Sequence, residues 1–172
     1  MVLLRSRVPL ALLLVPATVL AAQGGANVTH GNASVVTDGS TTTITNTPGT
    51  IINWERFSVA PDEITRFVQQ NASSTVLNRV TGSQGSEILR QLLSNGRVFL
   101  INPNGIAIGA GARIDTAGFV ASSLNITDAD FLSGRERFEG TGQEGRVVNR
   151  GSVEAGAGGS VYLIAPNVEN SG

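Results

Sequence analysis

The chain has 172 residues, which suits a single domain, and 41% of them are apolar but only 5% are aromatic, so its core must be mainly aliphatic. All 12 basic residues are arginine, the net charge is −1, and no basic stripe is present, which argues against nucleic acid as a partner. Because cysteine is absent, disulfides and thiolate metal sites are excluded.

The N-terminus has the organisation of a cleaved export signal. Two arginines precede an apolar run, Val8–Leu20, and a pair of alanines follows it. The run is too short to span a bilayer comfortably, and two prolines interrupt it. We therefore expect residues 1–22 to be removed during export and residues 23–172 to form the mature domain, without stable membrane insertion.

The first part of the mature chain alternates β-branched and polar residues between Asp-Gly and Pro-Gly turn signals. This pattern is typical of short strands joined by tight turns. The predicted strands are Thr41–Thr45, Thr50–Trp54 and Ile64–Val68. The aromatic side chains of this region are expected to pack in the core; they are Trp54, Phe57 and Phe67.

The next segment, "SEILRQLLSNGR" (Ser86–Arg97), fits two structures. Its four isoleucine and leucine residues fall at helical spacing, with Ser86 as a possible cap and Gly96 as a possible stop. It also fits a strand followed by an Asn-Gly turn. We favour strand or irregular structure, because strand patterns surround it.

From Arg97 onward, strands of three to five residues alternate with glycine-rich turns. Val147–Gly151 then recurs as Val168–Gly172, with valine, asparagine and glycine at the same offsets. A period of about 20 residues built from short strands indicates a solenoid whose coils stack on one another. No atypical closing coil follows, so we expect this chain to be the front of a longer protein.

One polar and charged insertion, Asn125–Gly145, breaks this rhythm. Its few apolar residues are Phe131, Leu132 and Phe138. We interpret the insertion as a hairpin outside the solenoid that packs these side chains onto it.

The stretch "VFLINPNGIAIGAG" (Val98–Gly111) places Asn-Pro-Asn-Gly between two strands. Asparagine, proline and glycine suit the first, second and fourth positions of a type I turn, and Asn102 can bond the backbone two residues on. No histidine lies nearby, and Asp115 is the nearest carboxylate. The residues therefore predict a rigid corner rather than a catalytic loop.

Two long stretches carry a family resemblance. They are "VLNRVTG" (Val76–Gly82) and "GRVFLINPNGIAIGAGARIDTAGFVASSLNI" (Gly96–Ile126). Both resemble the secretion domain of two-partner secretion exoproteins, the filamentous-haemagglutinin-like or haemagglutination-activity domain. The segments "INWERFSVAPDEITRFVQ" and "GGSVYLIAPNVENSG" are similar to its high-molecular-weight adhesin branch. Arg90 departs from the family, which has a small residue there in I-x-G-x-L.

The resemblance implies an all-β fold, a right-handed parallel β-helix with an N-terminal cap and an extra-helical hairpin. It also implies passage through the periplasm, recognition by the POTRA domains of a dedicated outer-membrane β-barrel transporter, and release from the cell or display on its surface. A monomer is expected. The resemblance further implies two transporter-recognition segments, the NPNGI motif tied to secretion competence and a second characteristic pair; their residues are Asn102, Pro103, Asn104, Gly105 and Ile106, and Asn78 and Arg79.

Residues suited to catalysis or metal binding are scarce. His30 is the one histidine and lies in a polar stretch. Asp128 and Asp130 could contribute to a Ca²⁺ site, but without further oxygen ligands a helix start or a solvated loop is the better interpretation. No nucleophile elbow or phosphate-binding loop is found. We therefore expect no enzyme activity, cofactor or metal.

The predicted function is to target a large exoprotein to its transporter and to nucleate β-helix folding outside the cell. Two alternatives remain at this stage. One is an adhesin in which this segment itself binds host glycans or proteins. The other is a β-helical polysaccharide lyase, although the chain has no lysine and no aspartate cluster. The sequence does not identify the transporter or what a downstream passenger does.

Overall fold

The structure is a computed structural model that describes residues 23–172, so the predicted export signal lies outside the described residues. Its elements are short strands and one helix of five residues. In chain order they are β1 (Asn27–His30), β2 (Ala33–Asp38), β3 (Thr41–Asn46), β4 (Thr50–Trp54), β5 (Ile64–Val68), β6 (Thr75–Val80), β7 (Ser86–Ile88), β8 (Gln91–Ser94), β9 (Arg97–Ile101), β10 (Ile106–Ile108), β11 (Arg113–Thr116), β12 (Gly118–Ser122), β13 (Asn125–Ile126), α1 (Asp128–Leu132), β14 (Phe138–Glu139), β15 (Val147–Asn149), β16 (Ser152–Ala155), β17 (Val161–Ile164) and β18 (Val168–Asn170).

Three sheets form the walls of a solenoid. Sheet 1 has the order β1-β4-β6-β9-β12-β17, sheet 2 has the order β7-β10-β15-β18, and sheet 3 has the order β2-β3-β5-β8-β11-β16. The chain visits sheets 3, 1 and 2 in turn, and from β3 onward each strand of these sheets pairs in parallel with its counterpart in the next coil. This is the parallel β-helix that the period of the sequence predicts. The segment Ser86–Arg97 contributes strands β7 and β8 rather than a helix.

The sequence repeat corresponds to the stacking of coils. Val147 pairs with Val168 and Asn149 pairs with Asn170 in the parallel register of β15 and β18. Equal spacing along the chain therefore becomes vertical stacking of like residues. Such stacking lets each backbone group of one coil bond to the coil beside it.

The core fills the interior of the coils with side chains from alternate strand positions. In sheet 1, Ile52, Leu100 and Ala121 point inward and are fully buried, whereas the intervening residues of the same strands point outward. The predicted aromatic residues Trp54, Phe57 and Phe67 join this interior. Trp54 meets Phe57 edge to face at 5.4 Å between ring centroids, and Phe57 stacks on Phe67 at 6.3 Å.

The N-terminal strands run against the direction of the coils. Strand β1 pairs antiparallel with β4, and β2 pairs antiparallel with β3. They close the first coil as the expected N-terminal cap. Gln23 adds to this closure because its side-chain amide donates to Thr65 Oγ1 at 2.6 Å inside the first coil.

The insertion after β12 is a hairpin on the outer face of sheet 1. Strands β13 and β14 pair antiparallel, and α1 lies between them. Thr127 caps the helix, and the hydrogen bond from Arg135 is the main cause that lowers the pKa of Asp130. Phe131 is buried against Phe99 at 5.3 Å between ring centroids, and Phe138 is partly buried in the same cluster. Leu132, by contrast, is 45% exposed, so it contributes less to this packing than expected.

Gly82 lies at a point where two neighbouring coils approach each other closely. A Cβ on Gly82 would lie well inside van der Waals contact with the backbone carbonyl oxygen of Glu55 in the preceding coil. We therefore expect Gly82→Ala to lower the free energy of unfolding by about 2–3 kcal/mol, measured by urea denaturation. Gly111→Ala is the matched control, because the nearest atom to its Cβ is 3.8 Å away, and it should change stability by less than about 0.5 kcal/mol. Equal effects of the two variants would contradict this close approach.

Candidate functional site

The Asn-Pro-Asn-Gly corner joins β9 in sheet 1 to β10 in sheet 2. Asn102 is fully buried at its base. Its side-chain N–H₂ donates to the Gln84 carbonyl and to Ser86 Oγ, both at 2.9 Å, and its Oδ1 accepts the Asn104 backbone N–H at 3.0 Å. The Gly105 N–H donates to the Asn102 carbonyl at 3.0 Å and closes the turn. The corner is therefore rigid, as its residue types predict, and it is held by a buried amide.

The tip of the same corner faces solvent. Pro103 and Asn104 are exposed, whereas Gly105 and Ile106 are buried. The Asn104 side chain donates to the Gly82 carbonyl of the preceding coil at 2.8 Å, which fixes its orientation. The five residues of the motif thus fall into two groups. The buried residues Asn102, Gly105 and Ile106 form what we call the frame, and the exposed pair Pro103-Asn104 forms what we call the tip.

The coil that follows the hairpin also holds the corner. The Gly145 N–H donates to the Pro103 carbonyl at 2.8 Å, and the Ile106 N–H donates to the Arg146 carbonyl at 3.1 Å. Gly105 has a φ of 102°, and a Cβ there would lie 2.8 Å from the Arg146 carbonyl oxygen. Glycine at this position is therefore required by both backbone conformation and space.

Asn78, one of the two other predicted recognition residues, lies inside the solenoid. It is fully buried, accepts a hydrogen bond from Trp54 Nε1 at 3.0 Å, and donates to the Phe99 carbonyl at 3.3 Å. It occupies one position in an inward ladder that is otherwise apolar, between Ile52 and Leu100. Its role in the folded domain is to accept the hydrogen bond of the buried Trp54 indole N–H.

Arg79, the neighbour of Asn78, points outward and contacts the hairpin. Its guanidinium donates to the Ile126 carbonyl at 2.7 Å and to Asn125 Oδ1 at 3.1 Å, and it pairs with Asp128 Oδ1 at 2.8 Å. A further hydrogen bond reaches Asn53 Oδ1 at 3.3 Å. Arg79 therefore attaches the start of the hairpin to sheet 1.

Two depressions flank the tip. An open groove of about 460 Å³ runs along the outer face of sheet 2, from Gln84 past Arg146. A cleft of about 260 Å³ lies between the tip and the hairpin and includes Ser123 and Glu144. Ser123 is fully buried, and its hydroxyl has no hydrogen-bond partner among the described residues.

Glu144 organises the hairpin segment that touches the corner. Its carboxylate accepts hydrogen bonds from the backbone N–H groups of Thr141 and Gly142 and from the Thr141 hydroxyl. The backbone hydrogen bond from Thr141 is the main cause that lowers the pKa of Glu144 from 4.5 to about 2. The carboxylate is therefore ionised at neutral pH and holds the turn before Gly145.

Other candidate ligands remain separate from this corner. Asp128 and Asp130 lie in the first turn of α1, so of the two interpretations from the sequence, a helix start or a solvated loop, the structure has the helix start. His30 is exposed on β1. Within residues 23–172, no group of three or more histidine, aspartate or glutamate side chains could hold a metal ion. No helix in this same range is long and apolar enough to cross a membrane.

Several residues that contribute to the corner were not predicted from the sequence to do so. They come from the coils on either side and are Gln84, Ser86, Ser123, Gly145 and Arg146. The sequence around Ser86 and around Gly145 is typical of many turns. A hydrogen-bond partner that lies in another coil leaves no recognisable pattern in the neighbouring sequence. A repeat alignment that placed Gly82–Ser86 beneath Asn102–Ile106 would have pointed to Ser86.

Comparison with known proteins agrees with this architecture. The family model described as the TPS secretion domain matches residues 18–172. The crystal structure of the HMW1 secretion domain from Haemophilus influenzae matches with a TM-score of 0.84 and 43% identity, covering 87% of this chain and 41% of that one. A heme/hemopexin-binding protein of Haemophilus influenzae (strain KW20 / Rd) is 37% identical over 132 residues, which cover 75% of this chain. A second heme/hemopexin-binding protein of Haemophilus influenzae is 32% identical over 100 residues, which cover 58% of this chain. The matches span 15% and 11% of these two relatives.

The division of the corner into frame and tip predicts unequal effects on stability. Asn102→Ala leaves the buried Ser86 hydroxyl and the partly buried Asn104 backbone N–H without their partner, so we expect a loss of about 2–3 kcal/mol in the free energy of unfolding. Asn104→Ala removes exposed hydrogen bonds and should cost less than about 1 kcal/mol. Urea denaturation of both variants tests this, and a larger loss for Asn104→Ala would contradict the assignment of the frame.

Glu144 predicts an acid-sensitive turn. Its folded pKa of about 2 lies below its ordinary value, so its stabilising contacts are fully present above about pH 4.5 and are lost as the pH falls through about 2. NMR titration should give a midpoint near 2 for the Glu144 carboxyl and matching shifts of the Thr141 and Gly142 amide signals. Glu144→Gln should abolish the shared titration. A midpoint near 4.5 would contradict these contacts.

Proposed function

Since the chain belongs to the TPS secretion domain family, we propose that residues 23–172 direct the exoprotein that carries them to its outer-membrane transporter and nucleate its folding outside the cell. Domains of this family belong to secreted or surface-exposed exoproteins, are in general non-catalytic and pair with an outer-membrane transporter. Our finer proposal is that POTRA domains of the transporter bind a monomeric chain during passage through the periplasm. Removal of residues 1–22 would precede this step.

The presented tip carries the proposal. Pro103 and Asn104 are exposed while Asn102 and Gly105 are held from the coils on both sides. A surface whose conformation is set in advance loses little entropy on binding. The combination supports a recognition corner, because burial of the frame would be sufficient for stability alone and leaves the tip free for contact.

Asn78 and Arg79 are proposed to act in a different manner. Asn78 is fully buried and Arg79 is bonded to the hairpin, so in the folded domain neither side chain presents a free surface to a transporter. They can meet POTRA domains directly only while the chain is extended, for example by adding a strand to a sheet edge of the transporter. After folding, we propose that their role is to hold the first coils and the hairpin together.

Nucleation is supported by the way the coils depend on one another. A solenoid grows by adding a coil to a coil already formed, because each coil contacts mainly its neighbours. The N-terminal strands pair with the first coils, and the aromatic side chains Trp54, Phe57 and Phe67 lie in the part of the core that these coils contribute. We propose that these coils fold first outside the cell and oppose return of the chain through the transporter.

The heme/hemopexin-binding relatives suggest a role for a complete exoprotein rather than for this domain. The matches cover only 15% and 11% of the lengths of these relatives, whereas the match to the HMW1 secretion domain covers 41% of that chain and 87% of this one. We therefore propose targeting as the function of residues 23–172, and we place heme or hemopexin binding, if this protein performs it, in a passenger region. Direct adhesion by this domain stays an alternative without a specific observation in its favour.

Secretion assays on variants of the tip, with a control variant in a second corner of the solenoid, test the targeting role. We expect Pro103→Ala/Asn104→Ala to lower the fraction of the protein in the medium at least about tenfold, because the transporter would lose the contacts of the tip. The exposed pair Pro166-Asn167 occupies the corner between β17 and β18, also between sheets 1 and 2, so Pro166→Ala/Asn167→Ala is the control. It should secrete as the wild type does.

The assay measures secreted and periplasmic protein in cells with and without the transporter encoded with the exoprotein. Equal losses for both double variants would remove the special role of the tip. Wild-type protein that stays folded in the periplasm in the presence of the transporter would overturn the targeting proposal and favour the adhesin alternative.

A further inference from the structure

The hairpin touches both of the segments that the resemblance assigns to recognition. It begins after β12 and ends where the next coil of the solenoid resumes. Arg79 bonds to the first residues of the hairpin, and Gly145, its last residue, bonds to the Asn-Pro-Asn-Gly corner. In the folded domain the hairpin therefore lies between Arg79 and the tip.

Arg79 holds the start of the hairpin through several contacts. Its guanidinium reaches three oxygen acceptors there, which are the Ile126 carbonyl, Asn125 Oδ1 and Asp128 Oδ1. The Arg79 side chain is only 17% exposed, so these charge-assisted bonds are partly shielded from solvent. Arg97 on the neighbouring strand β9 makes one ion pair with the same hairpin, to Glu136, and its side chain is 35% exposed. Arg79 therefore fixes the hairpin more firmly than Arg97 does.

The start of the hairpin is joined directly to its return strand. Strand β13 pairs antiparallel with β14, so that Asn125 lies opposite Glu139. The turn that leads from Glu139 to Gly145 is held by the Glu144 carboxylate, which accepts hydrogen bonds from backbone N–H groups within the turn. A shift of β13 is therefore carried to β14 and to the turn that follows it.

The end of the hairpin packs on the backbone of the tip. The Gly145 N–H donates to the Pro103 carbonyl at 2.8 Å, and a Cβ on Gly145 would lie 2.5 Å from the Asn104 carbonyl oxygen. The Arg146 carbonyl accepts the Ile106 N–H at 3.1 Å immediately afterwards. The position of the tip is therefore set by where the hairpin ends.

A second contact joins the hairpin to the other side of the corner. Ile101 directly precedes Asn102 and lies beside Arg79 in the register of β6 and β9. It is fully buried in the cluster on the outer face of sheet 1 that also contains Ile126 of the hairpin. The hairpin thus contacts the corner both before and after the tip.

We propose that the hairpin positions the tip for the transporter, and that Arg79 is a positioning residue for the tip because it fixes the start of the hairpin. The two segments that the resemblance assigns to recognition then act as one unit in the folded domain. This inference rests on the proposed targeting function, and it gives Arg79 a role in recognition that requires no contact with the transporter.

Amide hydrogen exchange of the purified protein tests the coupling without a transporter. Arg79→Ala should speed the exchange of the Gly145 and Ile106 amides at least about tenfold, because their hydrogen bonds at the corner would open more often. The amides of β5 and β8 should be unaffected, since these strands lie in sheet 3. Arg97→Ala is the matched control, because it removes a single partly exposed contact with the same hairpin, and it should leave both corner amides unchanged.

Secretion of Asp128→Ala separates positioning from direct contact with the transporter. This variant removes one hairpin acceptor of Arg79 and leaves the arginine in place. We expect it to speed exchange of the Gly145 amide about threefold, and to secrete less than the wild type but more than Arg79→Ala. Unchanged secretion of Asp128→Ala, beside a strong loss for Arg79→Ala, would indicate that the transporter reads the arginine itself and would overturn the positioning role.

The exchange data contain two further results that would overturn the proposal. One is unchanged exchange of the Gly145 and Ile106 amides in Arg79→Ala. The other is equally faster exchange throughout sheets 1 and 3, because Arg79 would then support the stability of the whole domain. If Arg79→Ala does not fold, Asp128→Ala provides both measurements.

Failure of the targeting proposal gives a different pattern. The tip variant Pro103→Ala/Asn104→Ala would then secrete as the wild type does, while Arg79→Ala would still speed exchange at the corner. That pattern would support the coupling between Arg79 and the tip and would contradict recognition of the tip by the transporter.

Discussion

The structure depends on parallel stacking in register, in which each coil supplies the hydrogen-bonding partners and the apolar contacts of the next. A strand of three to five residues cannot be stable alone, and no strand within residues 23–172 is longer than six residues. Stability is therefore shared between neighbouring coils. The position of every functional group follows from this constraint, because a corner keeps its shape only if the corners above and below it fit.

The Asn-Pro-Asn-Gly corner shows how one buried side chain can hold a turn whose tip is presented to solvent. The buried Asn102 amide bonds to the preceding coil, and the backbone of the corner bonds to the following one. What is left for solvent is small, a proline ring and one amide. Because the same motif holds the corner and presents the tip, a loss of secretion on mutation would not by itself identify contact with a partner.

Much of the fold could be predicted from the sequence because it is encoded locally. Turn residues delimit strands β4 and β5 at their observed ends, and the 21-residue recurrence of asparagine corresponds to the pairing of Asn149 with Asn170. The segment Ser86–Arg97 was ambiguous because its apolar residues satisfy two periods at once. The fold class itself came from the resemblance together with this recurrence.

The parts that escaped prediction depend on distant partners. Arg79 bonds to the hairpin 47 residues away, and nothing local distinguishes it from a solvated arginine. The inward position of Asn78 and its bond to Trp54 follow from which face of β6 is buried, which pairs it with residues more than 20 positions away. Their assignment to recognition came from the resemblance alone, and the contacts of the folded domain suggest structural duties for both.

The opposite orientation of β1 and β2 gives the molecule a direction. At the N-terminal end two strands run against the coils and terminate the ladders of stacked side chains in sheets 1 and 3. Within residues 23–172, the parallel ladders of sheets 1 and 3 therefore stop at their N-terminal side. A parallel coil brought to that side would meet strands of the opposite direction, so antiparallel pairing acts there as a stop for edge-to-edge association.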